Sequence, residues 1–217
     1  MKLSRRLQAI IDMIPEGVRV IDVGCDHAFL DIYLTLKGTN RCIASDINEN
    51  VLKKTKEMIE SYQLLDKIQI VRSDGLKEIE IKQDDFVVIA GMGTSTILRI
   101  LSEKEITQVI IQSNNDLEEL RRKLSDNYGF LIVDEQVVFE KNLYYVIMKI
   151  QKGNVRYSDK ECQLGPILIS KRDSLTKSYF EALLKKKKKI LNALPIDCEE
   201  QKKFMVEISY LKEVLKG

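Results

Sequence analysis

The stretch that most constrains this chain is Val18-Arg19-Val20-Ile21-Asp22-Val23-Gly24-Cys25-Asp26-His27-Ala28. A β-branched run that ends on a glycine with small and polar residues, followed by the helix-compatible segment 30–36, is how nucleotide-binding α/β domains begin. It reads as a strand, a ligand loop and a helix, and Gly24 lets a ligand approach the backbone. About twenty residues further on, Cys42-Ile43-Ala44-Ser45-Asp46 is a second short apolar run ending in an acid. A carboxylate at that place accepts both hydroxyls of a bound ribose. Asp46 and the adjoining Ile47 are therefore candidate contacts for the adenosine half of a cofactor.

The glycine pattern separates two cofactor classes. A dinucleotide fold uses several glycines so that backbone amides and a helix N-terminus can hold a pyrophosphate, whereas Gly24 stands alone in its loop. Asp22 and Asp26 flank it, and two carboxylates repel a diphosphate but suit a cofactor carrying an ammonium and a sulfonium. S-adenosylmethionine fits these residues better than NAD, and an NAD oxidoreductase is the weakest reading. A strand-turn-helix with ordinary turn acids is the bland alternative, and each further acid at a strand end counts against it.

Such acids recur. Ile68-Gln69-Ile70-Val71 predicts a third strand ending at Ser73-Asp74-Gly75, where Asp74 either accepts the exocyclic amine of an adenine or caps the next turn. Residues 85–90 form a nearly continuous apolar strand, as at the centre of a parallel sheet, and Gly91-Met92-Gly93-Thr94 follow at once. Ligands of open α/β sheets sit beyond the carboxyl ends of the strands, so this loop and the first should face one pocket. Residues 107–111 predict a fifth strand running into Gln112-Ser113-Asn114-Asn115, whose amides contact substrate or cap the helix 116–127. Two β-rich runs, 130–139 and 143–150, are joined by Glu140-Lys141-Asn142 as a hairpin. Five strand-helix units and a terminal antiparallel hairpin predict an α/β fold, the mixed Rossmann-like sheet of class I methyltransferases. Upstream, residues 4–13 predict a helix capped by Ser4, with Arg5 and Arg6 exposed as a plain surface or as a basic lip beside the cofactor mouth.

With 217 residues, 44% of them hydrophobic, the chain can bury one α/β domain and a smaller appendage. No apolar run approaches the roughly twenty residues that span a bilayer, and the first fifteen or so do not read as a signal peptide. Cys25, Cys42, Cys162 and Cys198 are scattered and His27 is the sole histidine, so no metal site is expected and the thiols read as reduced and cytoplasmic. The net charge of +2 names no partner, but its distribution is uneven. The polar stretch 151–165 suggests a boundary, giving a methyltransferase domain over 1–157 and a second domain over 158–217. In the latter, 170–194 and 199–215 predict a helical hairpin broken at Pro195-Ile196-Asp197. Residues 171–194 hold eight Lys/Arg against two Asp/Glu, including Lys185, Lys186, Lys187, Lys188 and Lys189. A solvated face explains them cheaply; beside a catalytic domain, they can also neutralise phosphates and steer a polyanion, which makes nucleic acid the leading substrate class.

Taken together, the residues resemble the bacterial TrmK family, tRNA adenine-N1 methyltransferases acting at tRNA position 22. The resemblance covers nearly the whole chain. It rests on Leu3-Ser4-Arg5-Arg6-Leu7, the run Asp22 to Leu30, Ile89-Ala90-Gly91-Met92-Gly93, Gln112-Ser113-Asn114, Tyr144-Tyr145 and Gly165-Pro166 before a helical hairpin. It implies a class I methyltransferase fold with a coiled-coil-like C-terminal hairpin, S-adenosylmethionine as donor, tRNA as partner, no metal and no obligate protein partner. It carries the cofactor and active-site surface onto Asp22, Gly24, Asp26, His27, Asp46, Asp74, Gly75, Gly91, Met92 and Gly93. The family has Pro where this chain has Asp31, Gly where it has Thr94 and Pro where it has Ser113; the last two border the expected substrate pocket.

For that reaction, N1 of adenine already has a free lone pair, so positioning matters more than a strong base and can supply ~7 kcal/mol or more. The methylated base is cationic, and Asp26 is expected to stabilise it or to take an N6 proton. Because N1 lies on the pairing edge, the base must be flipped out, with Phe29 and Tyr144 as expected stacking partners. Asn114, Arg5, Arg6 and the lysine run complete the expected substrate surface. A methyltransferase of a small molecule, or a non-catalytic RNA-binding or assembly protein of the same fold, would share much of this pattern.

Overall fold

The computed structural model describes residues 3–38, 41–195 and 198–216, so Ile196 and Asp197 of the expected break lie outside the described residues. The chain runs α1 (Arg5–Asp12), β1 (Arg19–Val23), α2 (Phe29–Leu36), β2 (Arg41–Asp46), α3 (Glu49–Ser61) and β3 (Ile68–Arg72). It continues through β4 (Phe86–Met92), α4 (Thr94–Leu101), β5 (Gln108–Ser113), α5 (Leu117–Asp126), β6 (Phe130–Glu140) and β7 (Leu143–Lys152). Last come α6 (Asp159–Leu164), α7 (Ser174–Leu191) and α8 (Glu199–Lys216). The strands form one sheet in the order β3-β2-β1-β4-β5-β7-β6, parallel except for β7, which lies antiparallel between β5 and β6. This is the class I methyltransferase arrangement, and the strand order reverses between β1 and β4, where such sheets bind ligands.

Apolar burial explains the layering. Val20 to Val23 and Phe86 to Ile89 are buried without alternation, as strands covered on both faces must be. One face packs Val20, Phe86 and Val88 against Ile10 and Ile11 of α1, Leu30 and Ile32 of α2 and Ile59 of α3. The other packs Ile21, Val87 and Ile89 against Ile97 of α4 and Leu120 of α5, and continues through Leu164, Tyr179, Phe180 and Leu211 of the C-terminal helices.

Local sequence sets most element ends. Ser4 Oγ accepts from Leu7 N at 3.1 Å and starts α1, and Asn48 accepts from Asn50 N at 2.9 Å to start α3. Between β6 and β7, Lys141 and Asn142 both take positive φ (49° and 63°), the pair a type I′ hairpin turn requires. Strand β4 runs two residues past its predicted end and β5 also runs two further, because pairing resumes at Met92↔Ser113 beyond an irregularity at Gly91. The polar stretch expected as a connection contains α6, started by a full capping box of Ser158 and Glu161. Helix α7 begins later than expected, at Ser174, because Asp173 takes the cap and accepts from Leu175 N and Thr176 N.

A wholly buried ion pair fastens the segment after β7. Arg121 Nε donates to Glu135 Oε1 at 2.9 Å, Arg121 Nη1 donates to the carbonyls of Cys162 and Gln163, and Glu135 Oε2 accepts from Ile167 N and Leu168 N. Gly165, at φ +100°, passes so close that a Cβ there would lie 2.5 Å from Glu135 Oε2. Among the described residues no helix is long and apolar enough to cross a membrane.

Candidate active site

The loop after β1 is held in an uncommon shape. Gly24, Asp26 and Ala28 all have positive φ, of 77°, 49° and 53°, and each non-glycine residue there costs roughly 1–2 kcal/mol. The surroundings impose it: Gly24 N and Cys25 N both donate to Ser45 O (2.8 and 2.9 Å), Ala28 N donates to Cys25 O (2.7 Å), and the Thr55 hydroxyl donates to Asp26 O. A Cβ on Gly24 would lie 2.5 Å from the Met92 methyl, so the loops after β1 and β4 meet in direct contact there.

Beside this loop, under α1, lies a cavity of about 360 Å³ lined by Arg6, Asp22, Gly24, Asp26, His27 and Phe29, among others. A larger cleft of about 1140 Å³ lies at the opposite edge of the sheet, at the start of the strands, where Arg19 and Asp85 pair at 2.6 Å. The smaller cavity, unlike the larger, lies at the carboxyl ends of the strands, where ligands of open α/β sheets sit. Its one guanidinium, Arg6, donates from Nη1 to Gln112 Oε1 at 2.9 Å and lies 5.1 Å over the Tyr145 ring.

The acids of the strand ends differ in their surroundings. Burial pushes the Asp22 carboxyl up to about 7; a hydrogen bond with Asp31 opposes the rise, and the charges of Asp46 and Asp26 add to it. Burial likewise lifts Asp31 well above the usual carboxylate range, reinforced by Asp22. Asp26, by contrast, has a side chain 79% exposed, 3.6 Å from His27 Nε2. Asp46 Oδ1 accepts from Asn48 N at 2.8 Å, and Ile47 beside it is 59% exposed. Asp74, read in the sequence as an adenine acceptor, is gripped by Lys77 and, at 3.0 Å, by Arg99. The Lys77 hydrogen bond chiefly lowers its pKa. Gly75, at φ +66°, leaves room for the Glu103 carboxylate, which accepts from Leu76 N at 2.7 Å.

The expected substrate residues separate into those near the cavity and those away from it. Phe29 lines the cavity, its ring 5.7 Å from that of His27. Asn114 braces the loops, donating to Gly91 O at 2.7 Å and accepting from Gln112 Nε2 at 3.1 Å. Gly93 starts α4 next to Asn115. Arg5 lies outside the cavity, its backbone N donating to Glu140 Oε1 at 2.8 Å. Tyr144 points to the opposite face of β7, in a row of rings with Phe139 (4.7 Å) and Tyr179 (5.6 Å). Tyr145 and Gln112, quoted among the sequence motifs but not expected as partners of Arg6, are the residues that meet it. Strand alternation places Tyr145 opposite to Tyr144, and was the signal available for it. Of the lysine run, Lys185, Lys186, Lys188 and Lys189 are exposed, while Lys187 is half-buried, bound to Glu207 at 2.6 Å and 5.3 Å from the Phe204 ring.

A family model described as TrmK, tRNA (adenine(22)-N(1))-methyltransferase, matches residues 20–216. The chain belongs to the TrmK family. It is 26% identical to the tRNA (adenine(22)-N(1))-methyltransferase of Bacillus subtilis over 230 residues, covering 100% of this chain and 96% of that protein. Among solved structures, M. capricolum TrmK in complex with S-adenosyl-homocysteine superposes with a TM-score of 0.86 at 29% identity, covering 100% of this chain and 99% of that one. A Streptococcus pneumoniae protein in complex with S-adenosyl-L-methionine superposes with a TM-score of 0.88 at 30% identity, covering 99% and 100%. The TrmK cofactor suits the cavity on charge: an amino-acid end with one carboxylate and one ammonium, next to a sulfonium, meets one guanidinium and two carboxylates. Among the described residues, no group of three or more His, Cys, Asp or Glu could hold a metal ion.

Proposed function

We propose that this chain methylates N1 of adenine 22 in tRNA, with S-adenosylmethionine as donor and Asp26 as the carboxylate facing the reacting base. The cavity beneath α1 carries the reading. Its Arg6 guanidinium suits the donor's carboxylate and Asp22 its ammonium, while Asp46 and Ile47, outside the cavity lining at the end of β2, suit the adenosine half. Gly24 admits the Met92 methyl, and Gly91 and Gly93 border Arg6 and Asn115, which keeps the loops around the cavity close together, while Asp74 acts through Lys77 and Arg99 to shape the loop after β3.

Once bound, the donor supplies an activated methyl group; the chain's residues position it and the base. The site needs no strong base because the N1 lone pair is free at neutral pH, and alignment lowers the barrier. As positive charge develops on the base, the exposed Asp26 carboxylate stabilises it, with His27 at 3.6 Å orienting that carboxylate. Phe29 offers the ring against which a flipped base stacks. The unit 1–157 performs this chemistry, while the unit 158–217 offers Lys185, Lys186, Lys188 and Lys189 to tRNA phosphates. The enzyme acts in the cytoplasm without an obligate protein partner.

The test is mass spectrometry of nucleosides from unmodified tRNA incubated with the protein and S-adenosylmethionine. One N1-methyladenosine per acceptor tRNA, mapped to position 22, is expected. Methylation of a metabolite panel with none on tRNA would overturn the substrate, and donor binding without methylation of either would leave a non-catalytic RNA-binding protein.

A further inference from the structure

Asp31 sits in the first turn of α2 and is wholly buried, and beyond its own backbone N–H no N–H or hydroxyl among the described residues donates to either of its carboxyl oxygens. Its polar neighbour is the carboxyl of Asp22, the strand residue that lines the cavity. Two carboxylates in a dry site repel, and a single proton between them turns that repulsion into a hydrogen bond. We propose that Asp31 stores a proton shared with Asp22 in the free enzyme, and that binding of the cationic methyl donor drives this proton into solvent. Asp31 is then a positioning residue that acts on the cofactor through Asp22. The inference rests on the reading of the cavity as the S-adenosylmethionine site.

The step balances. The O–H bond of the shared carboxyl breaks, the proton passes to buffer, and the pair goes from one negative charge to two, facing the sulfonium and ammonium of the donor. The charges of Asp46 from β2 and Asp26 from the loop hold the stored proton on the pair beforehand. The Cys25 and Cys42 thiols, His27 and, as the opposing cation, Arg6 of α1 are the other groups around the pair and its cavity, while β3 brings the apolar Ile68 and Ile70 to this layer. The acids outnumber the one guanidinium. Burial and these acids raise both carboxyls of the pair, Asp22 to about 7, so donor binding is favoured as pH rises towards that value. S-adenosylhomocysteine lacks the sulfonium and draws less on the pair, so Asp31 also sharpens the choice of fresh donor over spent product.

The test is calorimetric titration of the whole chain with S-adenosylmethionine, and separately with S-adenosylhomocysteine, in phosphate and in imidazole at pH 6, where the pair still holds its proton. The dependence of heat on buffer ionisation counts the protons released. The parent is expected to release close to one proton more per bound donor than Asp31→Asn, whose amide donates to Asp22 permanently and has no proton to give. Asp31→Pro, which removes the carboxyl at a position in a helical first turn that accepts proline, serves as a second variant. In the parent alone, donor affinity is expected to rise up to about tenfold per pH unit between pH 6 and 7 and to level off above. Equal proton counts in the parent and both variants, or a flat affinity profile in the parent, would overturn the proposal. Absence of any donor binding to the parent would instead overturn the assignment of the cavity.

Discussion

The hydroxyls of Thr94 and Ser113 lie 2.9 Å apart, one at the head of α4 and one at the end of β5. These are the two positions at which the sequence resemblance expects Gly and Pro, and they meet each other. Thr94 Oγ1 also donates to Asn115 O at 2.8 Å, and Thr94 N donates to Asn115 Oδ1 at 2.9 Å. A cross-element hydrogen bond thus ties the head of α4 to the end of β5. In a cycle of Thr94→Ala, Ser113→Ala and the double variant, each single change is expected to cost about 1 kcal/mol, with a coupling of about 0.5–1.5 kcal/mol. Urea unfolding measures it, and strict additivity would show that the contact carries no energy.

Replacing Asp46 tests the ribose assignment. Asp46→Ala removes the expected acceptor for two hydroxyls and is expected to weaken S-adenosylmethionine binding by roughly 1.5–3 kcal/mol for each hydrogen bond removed. It also removes the acceptor for Asn48 N, so Asp46→Asn is the control that keeps a turn acceptor while dropping the charge. Unchanged donor affinity in Asp46→Ala, read by calorimetry, would reduce the residue to a turn former.

Asp26 is exposed and has φ 49°, a conformation asparagine tolerates as well as aspartate. Asp26→Asn is therefore expected to keep stability within about 0.5 kcal/mol of the parent while slowing methyl transfer by about 10²-fold or more. Single-turnover kinetics at saturating tRNA separate the two quantities. A parental rate would show that the carboxylate does not act on the base.

The lysine run is expected to divide four to one. Changing Lys185, Lys186, Lys188 and Lys189 to Gln removes exposed charge at nearly constant helix propensity. The log-log slope of tRNA affinity against salt should become shallower by about 0.7–0.9 for each phosphate that is no longer neutralised. Lys187→Gln breaks an ion pair inside the hairpin, with Glu207, and is expected to lower stability and leave the slope alone. A slope untouched by the fourfold change would return these lysines to a solvated face.

Glu135→Ala leaves the Arg121 guanidinium buried without its partner and is expected to destabilise by about 3–5 kcal/mol. Arg121→Met combined with Glu135→Leu, which removes both charges, is expected to recover most of that stability. Chemical denaturation of the three variants decides. A small effect of Glu135→Ala would mean that water reaches the guanidinium.

Short-range signals account for what could be read from residue order alone. Gly24, Ser4 and the β-branched runs act on their own neighbours, so the strands, the cap of α1 and the glycine turn after β1 were all visible, as was the Lys141-Asn142 turn. What escaped depends on distant partners. Nothing within a few residues of Lys187 announces Glu207, nor do the sequence neighbours of Asp74 announce Arg99. The pairing of Asp22 with Asp31 spans a loop whose left-handed residues cannot be inferred from Asp26 or Ala28. Helix α6 was the avoidable omission, since Ser158-Asp159-Lys160-Glu161 spells out its capping box.

Because Tyr144 belongs to the row of rings under the hairpin and Tyr145 to the Arg6 side, odd and even positions of β7 serve different compartments. Deleting one residue between the Lys141-Asn142 turn and Tyr144 would exchange the two rows at once, sending each ring to the other's compartment. Length changes in this hairpin are therefore tolerable only in steps of two, and a gap of one here is a more severe lesion than replacement of either tyrosine.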